Sequence, residues 1–166
     1  RGETRLAEEL SADTLVQALA SALEGLKLPA GVSVELSDQV NSAALMCNRD
    51  ALVGACTNLV NNSVEAGATN VEVAVVSGDE ELVVRVSDNG PGFTTEQASQ
   101  LLEAFYTTKS HGTGLGLAVV QAVVKAHQGR FSIDAPAAGG AVAIISLPLM
   151  RSLSTGDRRQ QPSKND

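Results

Sequence analysis

Phe105-Tyr-Thr-Thr-Lys-Ser-His-Gly-Thr-Gly-Leu-Gly-Leu117 places three glycines, Gly112, Gly114 and Gly116, in alternation with Thr113 and Leu115. The apolar stretch Ala118–Lys125 follows directly and reads as a helix. Alternating glycines clear side chains from the backbone and permit positive φ, so that peptide N–H groups can converge on a ligand. A helix opening there adds unpaired N–H groups and the positive end of its dipole, which suits an anion. Thr107, Thr108 and Lys109 lie just upstream. The stretch is expected to be a lid over a polyphosphate.

Two familiar phosphate loops do not fit it. A dinucleotide fingerprint needs a further glycine where Leu117 stands, and it follows a strand rather than a polar Thr-Thr-Lys-Ser-His run. A Walker loop is excluded because no glycine directly precedes a lysine in the chain. His111 and His127 have no acidic or cysteine partner nearby in sequence, and neither is expected to be a metal ligand or a nucleophile.

Upstream lie two more groups of chemistry-bearing residues. Asn58-Leu-Val-Asn-Asn-Ser-Val-Glu65 falls within a predicted helix, where Asn58, Asn62 and Glu65 at i, i+4 and i+7 share a side. Asparagine is a mediocre helix former because its side chain competes for backbone hydrogen bonds. Three in five positions read either as a solvated face or as oxygen donors for a hard cation such as Mg²⁺. Asp88-Asn-Gly-Pro-Gly-Phe93 ends a strand of alternating valines. It reads as an ordinary turn, or as a carboxylate fixed at a strand end to accept from an exocyclic amine.

Composition bounds the rest. The 166 residues suffice for one domain with a real core, and 43% are hydrophobic. Aromatics are only 2%, so Val, Leu, Ile and Ala must build that core. The net charge of −7 argues against a broad nucleic-acid or anionic-membrane surface. A polyphosphate would therefore need local help from amides, a lysine or a metal. Cys47 and Cys56 match no zinc or redox spacing, which fits a reducing compartment. No apolar run has the length of a membrane span and there is no signal peptide. The chain starts at Arg1 and is expected to be a piece of a longer protein.

In chain order, residues 1–10 are expected to be a linker and residues 11–150 the folded domain. Ser11 caps a first helix reaching Leu26, with Leu15, Leu19 and Leu23 in one stripe. Strands are expected at Val32–Leu36 and Ala44–Cys47. A second helix follows, capped by Asp50 and ended by Gly67. Val71–Val76 and Leu82–Val86 pair as a hairpin, Thr95–Ala104 forms a short helix, and Gly129 stops the helix after the glycine box. Phe131–Asp134 and Ala141–Leu147 make a last strand pair around Ala-Gly-Gly, and residues 151–166 read as a disordered tail. The expected class is α+β, with helices on one face of a mixed, mostly antiparallel sheet.

Asn58-x3-Asn62, then Asp88-x-Gly90-x-Gly92, then Phe105, then Gly112-Thr-Gly-Leu-Gly-Leu117, in this order, resembles the ATP-binding catalytic domain of two-component sensor histidine kinases. The likeness spans roughly residues 11–150. It implies the two-layer α/β sandwich, or Bergerat fold, shared with gyrase, Hsp90 and MutL-type ATPases. It also implies a cytoplasmic domain that binds ATP and Mg²⁺. Asn62 would hold the metal, Asn58 would support metal or phosphates, and Asp88 would accept the adenine amine. Gly90 and Gly92 would let the chain approach the base, and Phe105 would pack beside the lid. Lys109 and the amides around Gly114–Leu117 would hold the phosphates, with Glu65, Ala66, Phe93, Thr107, Thr108, Gly112 and Thr113 completing the nucleotide site through Leu115 and Gly116. Phe-Tyr-Thr-Thr-Lys109 and Asn-Ser-Val-Glu-Ala66 are similar to the nitrogen- and flagellum-regulating branch, although Ser63 stands where Ala is common.

Related ATPases and anti-sigma serine kinases carry Glu where Asn58 stands. A carboxamide cannot take a proton from water or serine, whereas histidine is already a competent nucleophile. The resemblance therefore implies a histidine kinase rather than a serine kinase, an ATPase or a non-catalytic nucleotide sensor. The phosphoacceptor histidine would sit on a separate helical dimerisation domain, and the final acceptor would be a response regulator, NtrC-like for this branch. The isolated domain is expected to be monomeric.

Overall fold

Alternating apolar residues build the centre of the main sheet. In the computed structural model, which describes residues 7–92 and 112–150, Val71, Val73 and Val75 of one strand and Leu82, Val84 and Val86 of the next are at most 2% exposed. Glu72 and Arg85 between them face solvent. Full burial of such side chains contributes about 1.5–3 kcal/mol each, so the pattern fixes which face turns inward.

The elements run β1 (Glu8–Ser11), α1 (Ala12–Glu24), β2 (Ser33–Gln39), β3 (Ala44–Cys47), α2 (Arg49–Glu65), β4 (Asn70–Ser77) and β5 (Glu81–Asp88). Then come α3 (Gly112–Ala126), β6 (Arg130–Asp134) and β7 (Ala141–Pro148). The main sheet has the order β2-β4-β5-β7-β6. β2 is parallel to β4, as its crossover through β3 and α2 allows, and the other pairs are antiparallel. Val73 stands opposite Val86, and Val84 opposite both Val75 and Ile145. Leu15 and Leu19 of α1, Leu52 and Leu59 of α2, and Val120 and Val124 of α3 join these residues in one core. The expected α+β sandwich is thus present. Among the described residues no helix is long and apolar enough to cross a membrane.

Both early helix caps follow local chemistry, one of them at a different residue. Ser11 accepts from the N–H of Thr14, as expected. The α2 cap is Asn48, whose Oδ1 accepts from Ala51 N–H at 3.0 Å, while Asp50 lies in the first turn. Asp and Asn are comparable caps, so composition could not rank two candidates two residues apart. At the other end of α2, Gly67 N–H donates to Val64 and Ala68 N–H to Ser63, both at 3.0 Å. With φ +110 at Gly67, this is a Schellman motif.

Three other expectations change. Glu8–Leu10, inside the expected linker, form part of β1, paired antiparallel to β3 with Leu10 opposite Leu45. Only Leu10 among these three is buried, so the segment is too short to show alternation and the distant partner strand defines it. The first helix ends at Glu24, with Gly25 as its cap, before the expected Leu26. The glycine box is not a loop ahead of a helix: α3 begins at Gly112, so Gly112–Leu117 form its first turns. Burial of Leu117, Val120 and Val124 offsets the roughly 1 kcal/mol that each glycine costs a helix. The expected helix Thr95–Ala104, the tail 151–166 and residues 1–6 lie outside the described residues.

Candidate functional site

The C-terminal half of α2 turns one stripe, Leu59, Asn62, Ser63 and Ala66, toward the ends of β5, β6 and β7 and the start of α3. Between them lies an open cleft of about 660 Å³, adjoining solvent included. Leu59, Val86, Leu117 and Ile133 make its surface mostly apolar, and Asn62, Ser63 and Asp88 supply the polar groups. An apolar slot with a few fixed polar groups suits a flat, partly polar ligand.

Asp88 is held by backbone on two sides. Its Oδ1 accepts from Gly90 N–H at 2.9 Å and from Ala141 N–H at 3.2 Å. Oδ2 has no partner among the described residues and remains an acceptor for a ligand. Close backbone packing fixes the turn that carries it. A Cβ on Gly92 (φ +71) would overlap the carbonyl oxygen of Gly140, and a Cβ on Gly140 (φ +82) would overlap that of Asp88. These two glycines are demanded by contact as well as by conformation.

The asparagine face splits. Asn62 lines the cleft, and its Nδ2 is buried with no hydrogen-bond partner among the described residues. An orphaned amide of this kind costs about 1–3 kcal/mol. Because amide oxygen and nitrogen are interchangeable by rotation, the group can offer an oxygen to a cation or a donor to an anion. With about 100° of turn per residue, Leu59, Ser63 and Ala66 lie about 40–100° to one side of Asn62, whereas Asn58 and Glu65 lie about 40–60° to the other. Asn58 is half-buried and Glu65 exposed, and neither lines the cleft. The expected shared face therefore straddles the cleft edge.

Of the residues expected from sequence, the structure brings Asn62, Ala66, Asp88, Gly92 and Leu117 together around the cleft. Gly90 contributes its N–H to Asp88. Gly112, Thr113, Gly114, Leu115 and Gly116 enter as the backbone of α3's first turns. Phe93, Phe105, Thr107, Thr108 and Lys109 lie outside the described residues. Leu59 and Ser63 were missed although they share Asn62's stripe. Ile133, Ala141 and Ala143 arrive from the β6–β7 hairpin, whose strands were expected from sequence but whose approach to the cleft no local pattern signals. Among the described residues no three His, Cys, Asp or Glu side chains cluster. A cation in this cleft would lean on amide oxygen and on oxygens of its own ligand, as Mg²⁺ does with phosphates.

Residues 47–151 match the family described as histidine kinase-, DNA gyrase B- and HSP90-like ATPase. The chain is 38% identical over 152 residues to the sensor protein kinase FleS of Pseudomonas aeruginosa, covering 90% of this chain and 37% of that protein. The fold is similar to the catalytic domain of the histidine kinase ThkA, with a TM-score of 0.72 at 17% identity, covering 88% of this chain and 99% of that one. It is also similar to full-length ShkA solved in complex with AMPPNP, with a TM-score of 0.69 at 19% identity, covering 89% of this chain and 32% of that one.

Proposed function

Because the chain belongs to the histidine kinase-, DNA gyrase B- and HSP90-like ATPase family, we propose that it binds ATP with Mg²⁺ in the cleft at Asp88 and presents the γ-phosphate to a histidine on a separate helical domain. The observation that carries this reading is Asp88, with one oxygen saturated by Gly90 and Ala141 and the other left to accept in an apolar slot. That is the chemistry an adenine amine needs, and a guanine carbonyl at the same place would meet a carboxylate.

The residues present fit the cofactor. Leu59, Val86, Leu117 and Ile133 offer apolar surface to a purine. Asn62, whose amide nitrogen has no partner among the described residues, would hold the metal, and Asn58 would support metal or phosphates from just beyond the cleft edge. Glu65 is exposed and is assigned a place at the rim only. The first turns of α3, with Lys109, Thr107 and Thr108 ahead of them, would hold the phosphates, and Phe93 and Phe105 would flank the lid. Bound Mg²⁺ would neutralise charge developing on the transferred phosphoryl group; the chain's own part is orientation and exclusion of water. Asn58 cannot act as a general base, which favours transfer to histidine over hydrolysis or transfer to serine.

The chain spans 37% of the length of FleS, so the whole protein's partners belong to this proposal as well. These are a helical dimerisation domain bearing the histidine and a response regulator, NtrC-like given the Phe-Tyr-Thr-Thr-Lys109 likeness to the nitrogen- and flagellum-regulating branch. A cytoplasmic location fits the same reading. Calorimetric titration with ATP–Mg²⁺ should detect binding, and Asp88→Asn should abolish it; unchanged affinity would refute the base-recognition role. Labelled ATP should leave no phosphohistidine on this chain alone and should label an added cognate helical domain.

A further inference from the structure

Asn89 lies in the turn after Asp88 and is exposed, yet every kind of polar group on its side chain is engaged. Its Oδ1 accepts from the N–H groups of both Thr69 and Asn70 at 2.9 Å, and its Nδ2 donates to Thr69 Oγ1 at 2.9 Å. Its own N–H donates to the Asn70 carbonyl at 3.2 Å. Two N–H donors converge on one atom, so that atom must be the amide oxygen and the orientation is unambiguous.

Consecutive residues thus fasten the turn in two directions. Asp88 ties the end of β5 to β7 through Ala141, and Asn89 ties it to the start of β4, just beyond the Schellman end of α2. Just after them Gly90 packs on Ala68, where a Cβ would stand 3.4 Å from the Ala68 Cα. The α2 end is itself closed by Ala66 N–H on the Asn62 carbonyl at 3.0 Å. Asn89 is therefore the side chain that holds the Asp88 turn in register with the segment that ends α2.

Resting on the ATP reading above, we propose that Asn89 is a positioning residue for base selection: it sets where the free oxygen of Asp88 stands relative to the α2 wall of the cleft. It touches no nucleotide and acts through Asp88. A purely scaffolding side chain would add stability alone. A positioning one also sets discrimination between adenine and guanine, because selectivity depends on where an acceptor is fixed.

The test uses the 166-residue chain, titrated calorimetrically with ATP–Mg²⁺ and GTP–Mg²⁺, with urea unfolding of each variant in parallel. Asn89→Ala should weaken ATP binding about tenfold and narrow the ATP-over-GTP preference, beyond any shift in unfolding midpoint. Asn89→Asp should stay within about threefold of the parent, because a carboxylate accepts from the same two N–H groups and the Thr69 hydroxyl can turn to donate. Unchanged ATP affinity in Asn89→Ala, or equal weakening of ATP and GTP, overturns the proposal. Should Asn89→Ala fail to fold, Thr69→Ala removes one bond only; it should narrow the preference about twofold, and an unchanged preference overturns the proposal. Asp88→Asn run alongside separates the two readings. If it leaves ATP affinity intact, the site reading fails; if it abolishes binding while Asn89→Ala changes nothing, this inference alone fails.

Discussion

The backbone N–H of Asn48, the cap of α2, donates to Nε2 of His127 at 2.9 Å, and Nδ1 of the same ring lies 2.8 Å from the Val123 carbonyl oxygen. With Nε2 accepting from Asn48, Nδ1 is the nitrogen that donates to the Val123 carbonyl. The last turn of α3 is thereby tied to the first turn of α2, and the helix that opens with the glycine box is joined to the helix that carries Asn62.

Replacing His127 by Ala leaves the Asn48 N–H without its acceptor. The expected loss is about 1–2 kcal/mol in urea unfolding, against the half kcal/mol or less usual for a surface change. A midpoint equal to the parent's would show that water replaces the ring at no cost.

The end of α3 makes a second prediction of opposite sign at neighbouring positions. Gln128, not Gly129, takes the left-handed conformation, with φ +62. Gly129 is required for space, since a Cβ there would overlap the Ser146 carbonyl oxygen. Gln128→Gly should raise stability by about 0.5–1 kcal/mol, the left-handed penalty less the entropy gained by the unfolded chain. Gly129→Ala should lower it by roughly 2 kcal/mol or more as β7 shifts away. Thermal unfolding of the two variants checks the contrast.

Gly139 and Gly140 separate strain from contact in the same way. Both have positive φ, but a Cβ on Gly139 (φ +107) meets no atom of the described residues within 4 Å, whereas one on Gly140 overlaps the Asp88 carbonyl. Gly139→Ala should cost about 1–3 kcal/mol of backbone strain and keep nucleotide affinity. Gly140→Ala should cost more and also weaken ATP binding, because relief of the overlap moves Asp88. Titration of both variants with ATP–Mg²⁺ decides it; equal affinities would break the link between that hairpin and the site.

Cys47 and Cys56 predict a pH dependence. Burial first, then the Glu8 carboxylate, pushes the Cys47 thiol from 9.0 up to about 11, against the opposing pull of Arg49. Burial pushes Cys56 up to about 12. A raised folded pKa favours the protonated thiol in the fold. This stabilisation is complete below the unfolded value of 9.0 and is lost as pH climbs toward about 11 and about 12. Urea midpoints should fall above about pH 9, and fall less in Cys56→Ala. At about pH 8 neither thiol should react with Ellman's reagent until the chain is unfolded.

Features whose causes are local could be read from the residues alone. Alternating Val71, Val73 and Val75 must place one face inward, Ser11 must cap and Gly67 must end a helix, and the order of Asn62, Asp88 and the glycine box is a property of the chain. Tertiary structure decided what depends on partners far away in sequence. Leu45 makes residues 8–11 a strand, and helix burial draws the glycine box into α3. The rotation of α2 against the sheet brings Leu59 and Ser63 to the cleft and leaves Asn58 and Glu65 beyond its edge. Helical periodicity says which residues share a side of α2. Only the surface it packs against says where that side ends, because the cleft is made jointly with β5, β6, β7 and α3, whose approach no local pattern encodes.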